Sequence, residues 1–236
     1  MASAAPPDIS TTLAQVAQDM NATLDLDTSL STIVHVAAKS LPDIDHVGIT
    51  IAHRDGRMET KAASDEFVRR LDELQYDVGE GPCVYAMDAH PVVRVEHAAS
   101  EQRWPKFIPA AVQQGLRAQL GLQLYLEDQT LGALNMYSTS SDTVCDETAH
   151  FAEIFATHAA LALGHARRED QLNNAIRSRQ LIGQATGILM ERYALNAERA
   201  FDYLIRVSSH SNTKLRDVAQ QLVDRSSERY QTASSQ

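Results

Sequence analysis

Two cysteines and nine histidines carry the reactive side chains of this 236-residue chain. Cys83 follows Gly81-Pro82, where a helix or turn can begin. A thiol at a helix N-terminus has a lowered pKa and gains nucleophilicity, so Cys83 reads as a redox or adduct-forming thiol. A lone cysteine in an apolar setting reads equally as a small buried residue. Cys145 lies 62 positions further on, a gap that suggests no motif, although a disulfide between the two is an open pairing. Among the histidines the spaced pairs are His90 with His97 and His158 with His165. Neither has the Cys/His clustering of a zinc site. His158 and His165 sit two helical turns apart, a spacing that faces a partner helix rather than one ion. No metal site is expected. There is no P-loop, no GxGxxG, no meaningful Ser/His/Asp order and no calcium loop, so no catalytic residue is expected either.

The elements that must position these residues begin with helical periodicity at Ile9, Leu13, Val16, Met20 and Leu24, after a flexible start over 1–9. Asp27 or Thr28 caps a second helix bearing Leu30, Ile33, Val34 and Ala37, and Pro42 stops it. Val47, Ile49 and Ile51 alternate as a strand, and Asp55-Gly56 turns it into a hairpin. Phe67–Leu74 reads as a helix, Val92–Val95 as a strand, and Trp104-Pro105 opens a further helix. Ala118, Leu120, Leu122, Leu124 and Leu126 alternate most clearly, with Leu131–Tyr137 as the returning arm. This order predicts an α+β domain with a mainly antiparallel sheet flanked by helices.

From Asp146 onward there is no proline, so one helix to about Arg192 is expected. Stepping by four and three along it joins Ile154, Leu161, Leu172, Ala175, Ile182 and Leu189 with the polar His158, His165, Arg168, Arg179 and Thr186, a weak coiled-coil seam that predicts a parallel homodimer. Asn196 caps a helix with Ala200, Phe201 and Leu204 on one face. Asn212 or Thr213 caps another with Leu215, Val218 and Leu222, and 226–236 reads as a disordered polar tail.

Charge divides along the chain. Residues 1–165 hold 10 Lys and Arg against 23 Asp and Glu, a net of −13; residues 166–236 hold 11 against 8, a net of +3, which together give −10. An acidic body with a basic end suits an end that meets a polyanion. No run approaches the roughly 18 apolar residues of a membrane span, and the N-terminus lacks a secretory pattern. Two cysteines are too few for a disulfide framework, so a cytoplasmic protein without a membrane partner is expected.

The stretch Arg179-Gln-Leu-Ile-Gly-Gln-Ala-Thr-Gly-Ile-Leu-Met190, followed by Ala200-Phe201, Leu204, Arg206 and Leu215-Arg-Asp-Val-Ala219, resembles the ANTAR family, in a three-helix module over 177–225. Small Ala185 and Gly187 would let another helix approach, with Leu189, Met190, Phe201, Leu204 and Val218 closing a small core. Val78-Gly-Glu-Gly-Pro-Cys-Val84, Arg103-Trp-Pro-Lys-Phe107 and Leu131-Gly-Ala-Leu-Asn-Met-Tyr137 are similar to GAF domains, in particular those joined to ANTAR modules in actinobacteria, over 10–165. The helix over 146–178 would connect the two.

The ANTAR resemblance implies a dimer that binds tandem RNA hairpins in mRNA leaders and prevents a terminator from forming. RNA needs cations for phosphates and donors for loop bases. The candidates are Arg179, Arg192, Arg206, Lys214 and Arg216, with Arg177 and Arg199 behind them. The family often has Lys where this chain has Thr186, which removes one plausible phosphate contact. The GAF resemblance implies a sensor whose cofactor is unknown, with a possible small-molecule ligand held by Cys83, Trp104, Phe107, Tyr125 and Tyr137. Three other readings compete. The last two helices can be a DNA-binding helix-turn-helix, against which the length of the 207–212 loop argues. Cys83 can belong to a thiol-dependent GAF enzyme, or the chain can be a structural dimerisation protein.

Overall fold

The computed structural model describes residues 25–233 except Arg54 and Ala89. The helix expected over Ile9–Leu24, and the flexible start, lie outside the described residues. The described residues form two compact units, divided between Ala166 and Arg167. Among the described residues no helix is long and apolar enough to cross a membrane.

The first unit contains α1 (Leu26–Ser40), β1 (His46–Ala52), β2 (Met58–Ala63), α2 (Glu66–Val78), α3 (Pro82–Asp88), β3 (Val92–Val95), α4 (Ile108–Gln113), β4 (Ala118–Leu126) and β5 (Gln129–Ser138). The sheet has the order β2-β1-β5-β4-β3, and all four pairings are antiparallel. Period-two alternation assigns its two faces different chemistry. Val47, Ile49, Leu120, Leu122, Leu124, Leu134 and Met136 form one core with α1 and with Ala152, Phe155 and Ala159 of the helix α5 (Asp146–Tyr193). The other face carries Gly48, Thr50, Gln119, Gly121, Asn135 and Tyr137 beneath α2 and α3. A Cβ on Gly48 would lie 2.3 Å from Val68 Cγ1, and one on Gly121 would lie 3.0 Å from the Pro82 carbonyl oxygen. These two glycines let the helices sit directly on the strands.

The second unit holds the end of α5, then α6 (Ala197–Ser211) and α7 (Leu215–Ala233). Ala185, Leu189, Ala200, Leu204 and Ala219 are its core, bordered by Leu181, Ile182 and Val218. Met190 and Phe201, expected inside, are exposed, and a Cβ on Gly187 would meet nothing within 4 Å. The small residue that receives a neighbouring helix is therefore Ala185 and not Gly187.

Several ends differ from the sequence expectation. Asp25, not Asp27 or Thr28, caps α1, accepting from Thr28 N at 3.0 Å. Asn196 does cap α6, accepting from Arg199 N at 2.9 Å. Asn212 ends α6 in the left-handed region (φ 50°), and the first turn of α7 bonds to the Lys214 carbonyl instead of an Asn212 or Thr213 side chain. Because α6 continues to Ser211, only Asn212, Thr213 and Lys214 separate the last two helices. The loop-length objection to a helix-turn-helix does not hold. The polar tail is also helical, through Ala233, with Ser226 buried, because polar residues continue a helix whose other face is already covered.

Candidate sensor site and nucleic-acid interface

On the polar face of the sheet, side chains far apart in sequence converge. Asp72 of α2 accepts from Thr60 Oγ1 (2.8 Å), from Asn135 Nδ2 (3.0 Å) and from the Tyr137 hydroxyl. Asn135 Nδ2 also lies 2.9 Å from Thr50 Oγ1 and 3.0 Å from Cys83 Sγ. Gln75 closes the network, donating to the Tyr137 hydroxyl (3.0 Å) and accepting from Cys83 N (2.9 Å). Tyr76 bridges Thr50 and Thr60 at 2.7 and 3.0 Å. Asn135 Oδ1 and both amide atoms of Gln119 are buried without a hydrogen-bond partner.

Burial sets the electrostatics. Asp72 is pushed up to about 6, because desolvation outweighs its three hydrogen bonds. The Cys83 thiol is pushed up to about 12 by burial and by the nearby Asp72 carboxyl. The start of α3 does not activate it. Cys83 is fully buried, and Cys145 is exposed at the start of α5; both thiols are free. The arrangement disfavours a thiolate, which thiol-dependent catalysis requires.

Next to this network α3 borders a groove of about 520 Å³, lined by Met58, Val84, Tyr85, Met87 and Trp104 with Glu80 and Asp88. Trp104 meets Tyr85 edge-on at 5.9 Å, and the Arg103 guanidinium stacks over Trp104 at 4.4 Å. The five expected pocket residues therefore separate. Trp104 lines the groove, Cys83 and Tyr137 belong to the network, and Phe107 is in apolar core. Tyr125 is 51% exposed and stands apart from them, because the register shift between Leu124 and Tyr125 comes just before the hairpin turn. Sequence reasoning missed Thr50, Asp72, Gln75, Tyr76 and Asn135. The available signal was a carboxylate one turn after Val68, on the buried stripe of α2. Of the histidines, His90 stacks on Tyr85 at 4.0 Å, and no metal-binding cluster occurs among the described residues.

The cations of the second unit do not meet at a point. Arg177 and Arg216 border one groove between α5 and α7, together with Gln180, Gln184 and Gln220. Arg192 lines a second, with Gln184, Gly187 and Glu191. Arg179 is exposed on α5, Arg206 on α6 and Lys214 in the turn. Arg216 is paired with Asp217 at 3.2 Å. The Thr186 hydroxyl bonds to the carbonyl of Ile182 on its own helix (2.7 Å), so this position presents no cation.

With both arrangements in place, comparison with known proteins assigns the first unit. The GAF domain model matches residues 23–164. The chain belongs to the GAF domain family. The ANTAR domain model matches residues 170–223, so a GAF domain is followed by an ANTAR domain. GAF domains sense signals, and ANTAR domains are RNA-binding antiterminators, an architecture of regulators rather than of enzymes. Among solved structures, the GAF domain of a phosphoenolpyruvate-protein phosphotransferase from Coxiella burnetii is 22% identical (TM-score 0.59), covering 68% of this chain and 95% of that one. A phycoerythrobilin-bound GAF domain from a cyanobacterial phytochrome is 15% identical (TM-score 0.54), covering 69% and 98%. A domain of a sensor histidine kinase protein from Sinorhizobium meliloti is 16% identical (TM-score 0.53), covering 64% and 99%. At these identities the likeness establishes the fold of the GAF domain. No curated protein matches the chain.

Proposed function

We propose that the chain is a signal-responsive regulator whose ANTAR domain binds hairpins in mRNA leaders and promotes transcription antitermination. The observation that carries this reading is the ANTAR match over 170–223, borne on a capped three-helix unit with exposed arginines. The +3 balance of residues 166–236, beside the acidic GAF domain, supports a polyanionic partner. The protein acts as a cytoplasmic homodimer joined through α5, where Leu172 and Ile176 are 65% and 62% exposed one turn apart. The groove of Met58, Tyr85, Met87 and Trp104 receives the signal, a ligand with apolar or aromatic surface. A ligand that binds one state of the dimer better than the other shifts the population by that difference. The RNA contacts are assigned to Arg179, Arg192, Arg206, Lys214 and Arg216.

The three-residue turn between α6 and α7 gives a second reading, a DNA-binding helix-turn-helix. One competition experiment separates the two. Labelled tandem-hairpin RNA, hairpin-free RNA and duplex DNA are titrated with the full chain at fixed salt. The antiterminator reading expects the tandem hairpins to bind about tenfold tighter or more. Equal affinity for hairpin-free RNA removes that reading, and a preference for duplex DNA replaces it with the second.

A further inference from the structure

On α6 the residues Arg199, Tyr203, Arg206 and His210 follow one another at i, i+4, i+7 and i+11, so they lie along one face of the helix. All four are exposed, and the ring of Tyr203 is left 46% in solvent although the core of Ala200 and Leu204 is on the same helix. Among the described residues neither Arg199 nor Arg206 forms an ion pair. Of the helix's carboxylates, Glu198 lies to one side, while Asp202, three residues after Arg199 and four before Arg206, borders the same face and pairs with neither arginine among the described residues. A single exposed tyrosine is ordinary. An exposed tyrosine one turn from an unpaired guanidinium on each side has a more specific use. Unpaired RNA bases stack on aromatic rings while cations alongside hold the phosphates. The other exposed pair of α6, Phe201 and Ile205, carries no charge and offers nothing to a phosphate.

We propose that Tyr203 is a base-stacking residue, taking a base splayed from an RNA loop onto its ring while Arg199 and Arg206 hold the flanking phosphates. The inference rests on the RNA-binding reading above and deepens it from charge to a specific contact. Its consequence is that the RNA meets the outer face of α6, and that affinity depends on an uncharged side chain.

The test uses the full chain and a pool of tandem RNA stem-loops with randomised loops, from which the tightest binder is selected. 2-Aminopurine is then placed at each loop position in turn, and affinity and quenching are measured for wild type, Tyr203→Ala, Tyr203→Phe and Arg206→Ala. Tyr203→Ala should weaken binding by about ten- to a hundredfold and abolish quenching at one loop position. Tyr203→Phe should keep both. Arg206→Ala should weaken binding and reduce the slope of log K against log salt by about 0.7–0.9. Circular dichroism confirms that each variant is folded, and light scattering gives its oligomeric state. Hairpin-selective wild type with equally tight binding by Tyr203→Ala overturns the stacking contact and leaves the RNA reading intact. Wild type without hairpin preference removes both. Loss of affinity in Tyr203→Ala that tracks dissociation of the protein makes this face a protein interface and overturns the proposal.

Discussion

Asp72 is buried with no cation beside it, and desolvation outweighs both the hydrogen bonds it accepts from Tyr137, Thr60 and Asn135 and the weaker field of Arg69, all of which favour its charge. An uncompensated buried carboxylate is costly, so the carboxyl keeps its proton further into the neutral range. Its ordinary value of 3.8 rises to about 6 in the fold. Between those values the folded chain holds a proton that the unfolded chain has released. The stability due to this site is therefore complete below about pH 4 and is lost as pH rises through about 6. Integrated over that linkage, the GAF domain should lose on the order of 1–2 kcal/mol between pH 5 and pH 7.5. Trp104 is the only tryptophan of the chain and is buried in the GAF domain, so its fluorescence in urea titrations isolates this unit. Asp72→Asn should flatten the decline. The variant also turns an amide donor toward one of three donors and is less stable at pH 5, so the slope and not the level is the readout. An unchanged slope would assign the titration to another group.

The elements differ in how strongly they are specified. Gly132 of β5 pairs with Ile51 of β1, and a Cβ there would fall 1.9 Å from the Thr50 carbonyl oxygen. Backbone cannot yield as a side-chain tip can, so Gly132→Ala should destabilise the GAF domain by about 1–3 kcal/mol or more. Gly187 sits within α5 with open space around it, so Gly187→Ala should stabilise the ANTAR domain by about 0.5–1 kcal/mol. Thermal melts read by Trp104 fluorescence and by circular dichroism separate the two effects, and a neutral Gly132→Ala would contradict the β1–β5 register. The sequence made β4, β5 and α6 legible because each repeats its own period over several residues: the β4 leucines alternate, and Ala200 and Leu204 recur one turn apart. The caps were less legible, since Asp25 and Asp27 are chemically alike and only the backbone angle chooses between them. The polar network was hidden for a different reason. Thr50 and Asn135 are 85 positions apart and Asp72 and Asn135 are 63 apart, so no local pattern links them. Tyr125 was misplaced because strict alternation does not survive the register shift that precedes it.

At the scale of the molecule, α5 supplies both the last helix of the GAF core and the first of the ANTAR core, as one 48-residue element. Its stretch near Leu172 and Ile176 touches neither core, and two large apolar side chains exposed one turn apart there suit burial against a second copy. The consequence concerns avidity. Two ANTAR domains held together convert the second hairpin's binding into an intramolecular step, which can raise affinity by about 10²–10⁴ without any new contact. Leu172→Asp with Ile176→Asp places like charges opposite one another in such a seam while leaving every ANTAR cation in place. Light scattering should then report a monomer. Affinity for a tandem hairpin should fall toward that for a single hairpin, and affinity for the single hairpin should stay as in wild type. A variant that remains dimeric moves the interface off this seam. A monomer that still distinguishes tandem from single hairpins would mean that one ANTAR domain reads both hairpins, and the coupling between dimer and RNA would have no physical basis.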